Sequence, residues 1–309
     1  MVALAGAMGS FAEAATETLP ESCGLRLGES TVERVTERAG AALGERLAAG
    51  ETFGTGKPWE WSKDSEGRTV GSVSADLTGV GMQGANGAKA DGRMAAVGVV
   101  WNAGVAGQVR YACGSTGGLA ALGDPRRRQA GQVGMDTADR WVAISDGGAG
   151  IEDGLRTYFP RAEAVVLDFW HAAQHASDWA KALHPDAAEA TRVAGEWCHR
   201  LKHEGGAAVL AGLRATTVGR RPAAKEAHRK LVGYVENQVH RMDYPTYRRK
   251  GWAIGPGPVE AACKQVVNQR LKVTGARWSE QGADAVCHLR ALFRSELGQW
   301  DAFWTATAA

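Results

Sequence analysis

Three carboxylates in this chain sit where an acid is costly to place. Asp76 closes the alternating run Thr69-Val70-Gly71-Ser72-Val73-Ser74-Ala75, and Asp146 follows the short apolar run Trp141-Val142-Ala143-Ile144-Ser145. Both runs read as strands, the second as one buried on both faces, so both aspartates are expected at or near the ends of inner strands. A buried carboxylate needs a cation to neutralise it, and two that converge point to a shared metal ion. Either aspartate alone also reads as a turn cap. Glu260 opens a helix directly after Gly255-Pro256-Gly257-Pro258, and the small neighbours Ala261 and Ala262 let that helix approach the sheet. A glutamate in a first helical turn is also favoured by the helix dipole alone, by roughly a few tenths of a kcal/mol. Carboxylates with few other ligands suit Mg²⁺ or Mn²⁺, which keep waters and take their remaining oxygens from phosphate. Two such ions ~3.5 to 4 Å apart serve in-line phosphodiester chemistry.

Other residues have the types for chemistry but a weaker pattern. His171 and His175 lie four apart after Asp168, as metal ligands or as helix packing with a hydrogen bond to Asp168. Cys198, His199 and His203 lack the second ligand pair of a zinc site. The five cysteines are scattered, with no Cys-x-x-Cys pair, and read as reduced thiols.

The elements that must position the carboxylates follow from hydrophobic period. Strands are expected over 69–76, 94–101 and 108–112, a helix over 119–134, a strand over 141–145, a short helix over 151–158, and a strand over 164–167 ending at Asp168. A Gly-rich loop is expected from Gly79 to Gly92. The order β-β-β-α-β-α-β makes the first and fourth strands neighbours in an RNase H-like sheet, which sets Asp76 beside Asp146. Helices fill the chain to about residue 240, and two more begin at Val259 and after Ser279. Residues 11–48 carry helical spacing broken at Cys23-Gly24, with Ser30 as an N-cap. Gly24 to Glu29 and Ser30 to Ala39 fit the turn and second helix of a helix-turn-helix, or a plain helical hairpin. Residues 51–68, with Trp59 and Trp61, read as a linker.

With 309 residues and 44% hydrophobic content, the chain can bury one large core or two modest ones. It has no apolar run of membrane-span length and no basic flank of a signal peptide, so a cytoplasmic, nucleoid-associated protein without membrane contact is expected. The net charge of +2 hides a sorting of charge along the sequence. From His199 to Lys250 there are twelve basic residues against four acidic ones, while the rest holds 24 against 30. That segment, which includes Arg248, Arg249 and Lys250, is either a solvated helical face or a phosphate-binding surface. Lys264, Arg270, Lys272 and Arg277 add four positive charges without an acid between them. Beside them Trp278 is placed to stack on a splayed base, or to be buried.

These residues together resemble a family. Ile254-Gly255-Pro256-Gly257-Pro258-Val259-Glu260-Ala261-Ala262-Cys263-Lys264-Gln265, then Gln269-Arg270-Leu271-Lys272 and Gly275-Ala276-Arg277-Trp278-Ser279-Glu280, is similar to the Gly-Ser-Gly-x-Val-Glu-Ser-Ala-Cys-Lys block of bacterial insertion-sequence transposases of the ISKra type, within the wider DDE, RNase H-like group. Ser145-Asp146-Gly147 and Leu167-Asp168-Phe169-Trp170-His171 resemble that family's second-aspartate block and the element after it. Asp168-x-x-His171 is also similar to an element of Mutator-like transposases. The resemblance spans about residues 5 to 304 and departs at Asp76, followed by Leu77-Thr78-Gly79 where the family more usually has Gly.

The resemblance implies an α/β fold: an RNase H-like core with a mixed five-stranded sheet and flanking helices, an all-α insertion and a small N-terminal helical region. The expected organisation is 1–50 helical and DNA-binding, 51–68 linker, 69–168 first part of the core, 169–250 basic helical insertion, and 251–309 the return to the core. Asp76, Asp146 and Glu260 would hold Mg²⁺ or Mn²⁺, with Asp168 and His171 accessory. Lys264, Arg270, Lys272, Arg277, Trp278, Arg248, Arg249 and Lys250 would meet DNA. The implied activity is metal-dependent cleavage of transposon ends and strand transfer into target DNA, by a homodimer or higher oligomer. Two other readings stay open: a metal-dependent nuclease that does not join strands, and a non-catalytic DNA-binding remnant. Relatives carry more sequence before the helices that follow Met1, which leaves a shortened, inactive copy among the expectations.

Overall fold

The alternation that starts at Thr69 does not stop at Asp76 but runs on, so β1 (Val70–Val80) carries that aspartate in its interior. The first residues of the expected Gly-rich loop are therefore strand, and positions 86, 87 and 89 of that loop lie outside the described residues. The chain is seen here as a computed structural model that describes residues 1–309 except 55, 86, 87, 89, 115–117, 297 and 309. β2 (Arg93–Trp101) and β3 (Val109–Gly114) add antiparallel neighbours, and β4 (Arg140–Ser145) and β5 (Ala162–Leu167) add parallel ones. The result is one open mixed sheet in the order β3-β2-β1-β4-β5, with β1 beside β4 as expected.

The chain begins with α1 (Val2–Met8), then α2 (Phe11–Glu13), which continues through a π-helical stretch (Ala14–Thr18) into α3 (Leu19–Cys23). Gly24, at φ 68°, ends that run at the expected break. α4 (Glu29–Ala48) starts two residues earlier than Ser30 would set it, with Gly28 at its N-cap position. α5 (Gly118–Gln132) and α6 (Ile151–Tyr158) follow among the strands. The helical segment after β5 comprises α7 (Phe169–Leu183), α8 (Ala187–Glu204), α9 (Gly206–Ala215), α10 (Pro222–Gln238), a 3₁₀ turn (Val239–Arg241) and α11 (Tyr244–Arg249). The return to the sheet is made by α12 (Pro258–Ala262), a π-helical stretch (Cys263–Asn268), α13 (Gln269–Leu271), α14 (Glu280–Arg294) and α15 (Gln299–Ala308).

Strand period sorts the sheet side chains onto two faces. Val97, Val99, Val142, Ile144 and Val166 pack with α7, α8, α12 and α14 in the larger core. Val73, Ala75, Val100, Ala143 and Val165 pack on the other face with Leu155 and Phe159. Trp59 and Trp61 belong to that second core, at 8% and 6% exposure, so residues 51–68 are not a free linker. Their indoles bond Glu296 (2.7 Å) and the Gly134 carbonyl (3.1 Å), which ties the segment to the body.

The N-terminal helices are likewise built onto the body. α4 buries Val32, Thr36, Gly40 and Leu43 and packs along α14, where a Cβ on Gly40 would overlap the Ala285 backbone. The last carbonyls of α1 are satisfied by two buried guanidiniums, Gly6 O by Arg270 Nε (3.2 Å) and Ala7 O by Arg290 Nη1 (2.8 Å). Cations there also complement the negative end of the helix dipole. Among the described residues no helix is long and apolar enough to cross a membrane.

Candidate active site

The last pair of the parallel β1–β4 ladder is Ala75 with Ser145, and the next residue in each case is an aspartate, Asp76 within β1 and Asp146 just past the end of β4. Asp76 shares a sheet face with Ser74 and Thr78, by the two-residue period, and that face meets the Cys263–Asn268 segment. Its Oδ1 accepts the Leu77 N–H (2.6 Å) and its Oδ2 the Cys263 thiol (3.3 Å). Burial first, and the charge of Asp146 second, push the Asp76 carboxyl above the usual carboxylate range; His171 acts in the opposite direction. The Cys263 thiol is pushed up by its own burial and by Asp76, so it stays a donor. Asp146 turns inward on its glycine turn, its Oδ1 accepting the Gly148 N–H (3.0 Å).

Asp168 caps α7 by accepting the Trp170 N–H at 2.9 Å. Burial raises its carboxyl, the nearby charge of Glu260 adds to the rise, and His171 opposes it. Glu260 itself is exposed in the first turn of α12. The Gly-Pro-Gly-Pro loop that delivers it threads between two indoles. Phe169 N–H bonds the Ile254 carbonyl (2.9 Å), and the Gly255 Cα lies against Trp170, where a Cβ would stand 3.3 Å from Nε1. Gly257 has φ 59° and ψ −144°, and a Cβ there would lie 2.7 Å from Trp101. Only glycine fits that backbone and that approach. Trp101 in turn bonds Ser74 Oγ (3.1 Å), so the start of α12 is referenced to the strand that carries Asp76.

Asp76, Glu260 and Lys264 line one open cleft with Thr78, Cys263 and Asn268, while Asp146, Asp168 and His171 border the same region. Lys272 donates to Thr78 Oγ1 (2.7 Å), which brings a second cation to the β1 side of the cleft. Among the described residues, no three His, Cys, Asp or Glu side chains converge tightly enough to enclose a metal ion. The carboxylates repel, and each aspartate is turned to a local donor. Their chemistry nevertheless fits a hard divalent cation: oxygen donors on adjacent strands, one raised in pKa by the other's charge.

Several side chains expected to meet DNA lie elsewhere. Trp278, 6% exposed, is buried rather than offered to a base; it bonds the Leu271 carbonyl, meets Phe11 edge-on, and shares with it the Arg270 guanidinium, 4.6 Å from each ring. Arg270 is buried too, and burial lowers its pKa to about 10. Lys264, Lys272 and Arg277 remain on the surface. The triplet Arg248, Arg249 and Lys250 is not beside the carboxylates. Lys250 pairs with Glu163 at the start of β5 (3.5 Å), a strand length of roughly 15–20 Å from Asp146. Arg248 meets His203, and Arg249 bonds Thr246. Of the other basic residues of this segment, Arg200, Arg214, Arg229 and Lys230 pair with the segment's own glutamates.

Sequence reasoning missed three contributors. Arg241, counted there as surface charge, is 2% exposed, and its guanidinium bonds Val165 O, Ser145 O, Ser145 Oγ and Asp146 O. Tyr234 packs on His175 (ring centroids 3.9 Å apart) and lies near Gly147; its buried hydroxyl has no hydrogen-bond partner among the described residues. His171 and His175 therefore pack against Tyr234 rather than forming a ligand pair, and burial lowers the His175 pKa. Trp170 stands exposed between Asp168 and His171. None carries a sequence pattern that separates it from neighbours of the same type. Comparison with protein families and with curated proteins finds no match to this chain.

Proposed function

We propose that the chain is a DDE-type DNA transposase with an RNase H-like core, acting on transposon ends and target DNA. The reading rests on one observation above the others: Asp76 and Asp146 follow the last pair of adjacent parallel strands, and Glu260 is delivered to the same region by a loop fitted around Trp101 and Trp170. The strand order β3-β2-β1-β4-β5 supports it, as does the resemblance of the Glu260 block and the Asp168-Phe169-Trp170-His171 element to insertion-sequence transposases.

Asp76, Asp146 and Glu260 would hold Mg²⁺ or Mn²⁺, which when bound supplies Lewis acidity toward a phosphodiester. The protein's own part is positional. Asp76 and Asp146 are fixed by the ladder, Glu260 by the glycine loop, and Lys264 and Lys272 attract phosphate to the cleft. Cutting at an end exposes a 3′-hydroxyl, and joining is the attack of that hydroxyl on a target phosphodiester, with the displaced 3′-oxygen of the target strand as leaving group. Bringing two ends together calls for at least a dimer.

The test uses purified protein, Mg²⁺ or Mn²⁺, and the DNA flanking its gene as labelled donor ends. Cleavage and joining are expected, both abolished in Asp146→Ala and Glu260→Ala with DNA binding nearly intact. Cleavage without joining would replace the reading by a nuclease, binding without either by a non-catalytic DNA-binding protein. Substantial cleavage by either variant would remove the triad.

A further inference from the structure

The only tryptophan left exposed among the described residues stands at this site. Trp170 is 67% exposed, whereas the other indoles are buried or half-buried. Leaving so much aromatic surface in water forgoes one of the largest gains a side chain offers on burial. The indole is nonetheless held in place: Asp168 accepts its backbone N–H (2.9 Å), Phe169 meets the ring edge-on at 5.5 Å, and Gly255 lies against its pyrrole edge.

We propose that Trp170 is a stacking platform for an unpaired nucleobase, so that the carboxylate site engages single-stranded or locally opened DNA. The proposal rests on the nucleic-acid reading of the site and narrows its substrate. Asp168, two residues before the indole, and Glu260, whose charge acts on Asp168, disfavour a phosphate here and leave the π face to a neutral partner. Lys202 places its ammonium 5.9 Å from the Phe169 ring that meets the indole edge-on, so a cation stands one ring away from the platform. Base–aromatic stacking tolerates any sequence, because every base has a π face. An apolar protein partner would need a wider patch. No other exposed large hydrophobic residue belongs to α7 or to the Ile254–Pro258 loop.

The test compares wild type, Trp170→Phe and Trp170→Ala by equilibrium binding to a 12-nucleotide single strand, to the same strand with one abasic position scanned along it, and to the matching duplex, in Ca²⁺ buffer. Trp170→Ala is expected to bind the single strand about five-fold or more weakly, with duplex affinity unchanged and Trp170→Phe restoring most of the loss. One abasic position should abolish the difference between wild type and Trp170→Ala. Single-strand binding equal to wild type in Trp170→Ala overturns the proposal and leaves the DNA reading standing. Failure of the wild type to bind any DNA overturns both. A Trp170→Ala protein that loses self-association but not single-strand affinity assigns the indole to a contact between copies and also overturns it.

Discussion

Arg241 bonds Ser145 twice, at its carbonyl (3.1 Å) and at its hydroxyl (2.7 Å), and so holds the end of β4 from within the helical segment. Its Nε reaches the Val165 carbonyl on β5 (3.0 Å) and lies 3.7 Å from Glu152. Breaking such a set strands the Val165, Ser145 and Asp146 acceptors, although Glu152 keeps Arg156 and His240, so Arg241→Met is expected to lose about 3 kcal/mol or more in urea unfolding. Arg241→Lys keeps the charge but not the fork, and should recover less than half of that. A loss under about 1 kcal/mol would mean that the strand ends hold without the clamp.

Asp76 and Asp168 both have carboxyls raised by burial, each raised further by a neighbouring acid. A raised folded pKa contributes stability that is fully present below the unfolded value and is lost as pH rises through the folded one. Neutral pH is therefore the unfavourable side for both groups. Asp76→Asn should melt above wild type at pH 7, with the gap closing toward pH 4. Added Mg²⁺ should raise the wild-type Tm and leave that of Asp76→Asn almost unmoved. Calorimetry at the two pH values, with and without Mg²⁺, checks both; a lower Tm for Asp76→Asn at pH 7 refutes the electrostatic account.

The two basic surfaces should respond differently to salt. Lys264 lines the cleft, while Lys250 is paired with Glu163 at the far end of β5. Lys264→Gln is expected to lower the log–log salt slope of DNA binding by about 0.9, and Lys250→Gln to leave it nearly unchanged. The opposite ranking, measured by titration between low and moderate salt, would move the DNA to the other end of the sheet.

Gly257 and Gly255 separate backbone strain from simple contact. At φ 59° and ψ −144°, with Trp101 in the way, Gly257→Ala should cost about 1–3 kcal/mol and displace α12. Misplacing Glu260 by about 1 Å would cut cleavage on the order of 10²-fold. Gly255 lacks a positive φ and meets only the Trp170 edge, so Gly255→Ala should stay within about 1 kcal/mol. Equal effects of the two, in thermal melts and single-turnover cleavage, would deny the loop its positioning role.

The β-β-β-α-β-α-β order and the adjacency of Asp76 and Asp146 were legible because strand period and buried apolar runs are local signals. Asp76 was nonetheless expected at the last residue of its strand; the run Leu77-Thr78-Gly79-Val80 holds a glycine that reads as loop, yet it pairs with Met94 through Gly79. Trp59 and Trp61 were read as linker, and Trp278 was left between stacking on a base and burial, because a lone indole among polar residues does not say which way it faces. Arg241 was invisible for the same reason: nothing local distinguishes a guanidinium that reaches solvent from one that threads between two strand ends. Charge counting along the sequence overstated the basic surface, since it cannot see Arg241 buried or Lys250 answered by Glu163 from outside the segment.

The guanidiniums that close α1 sit more than 260 residues further along, Arg270 on Gly6 and Arg290 on Ala7. At a synthesis rate of about 5–20 residues per second, the first helix waits roughly 15 to 60 s before its partners emerge from the ribosome. Through that interval α1 has only near neighbours to pack on, Ala5 with Ala14, Leu19 and Val32 and Ala3 and Ala7 with Leu43, its last carbonyls lack their guanidiniums, and the helix is too short to persist alone. Closure of α1 is therefore a late event, coupled to the folding of the segment that carries Arg270 and Arg290, even though the helix's apolar neighbours are made early.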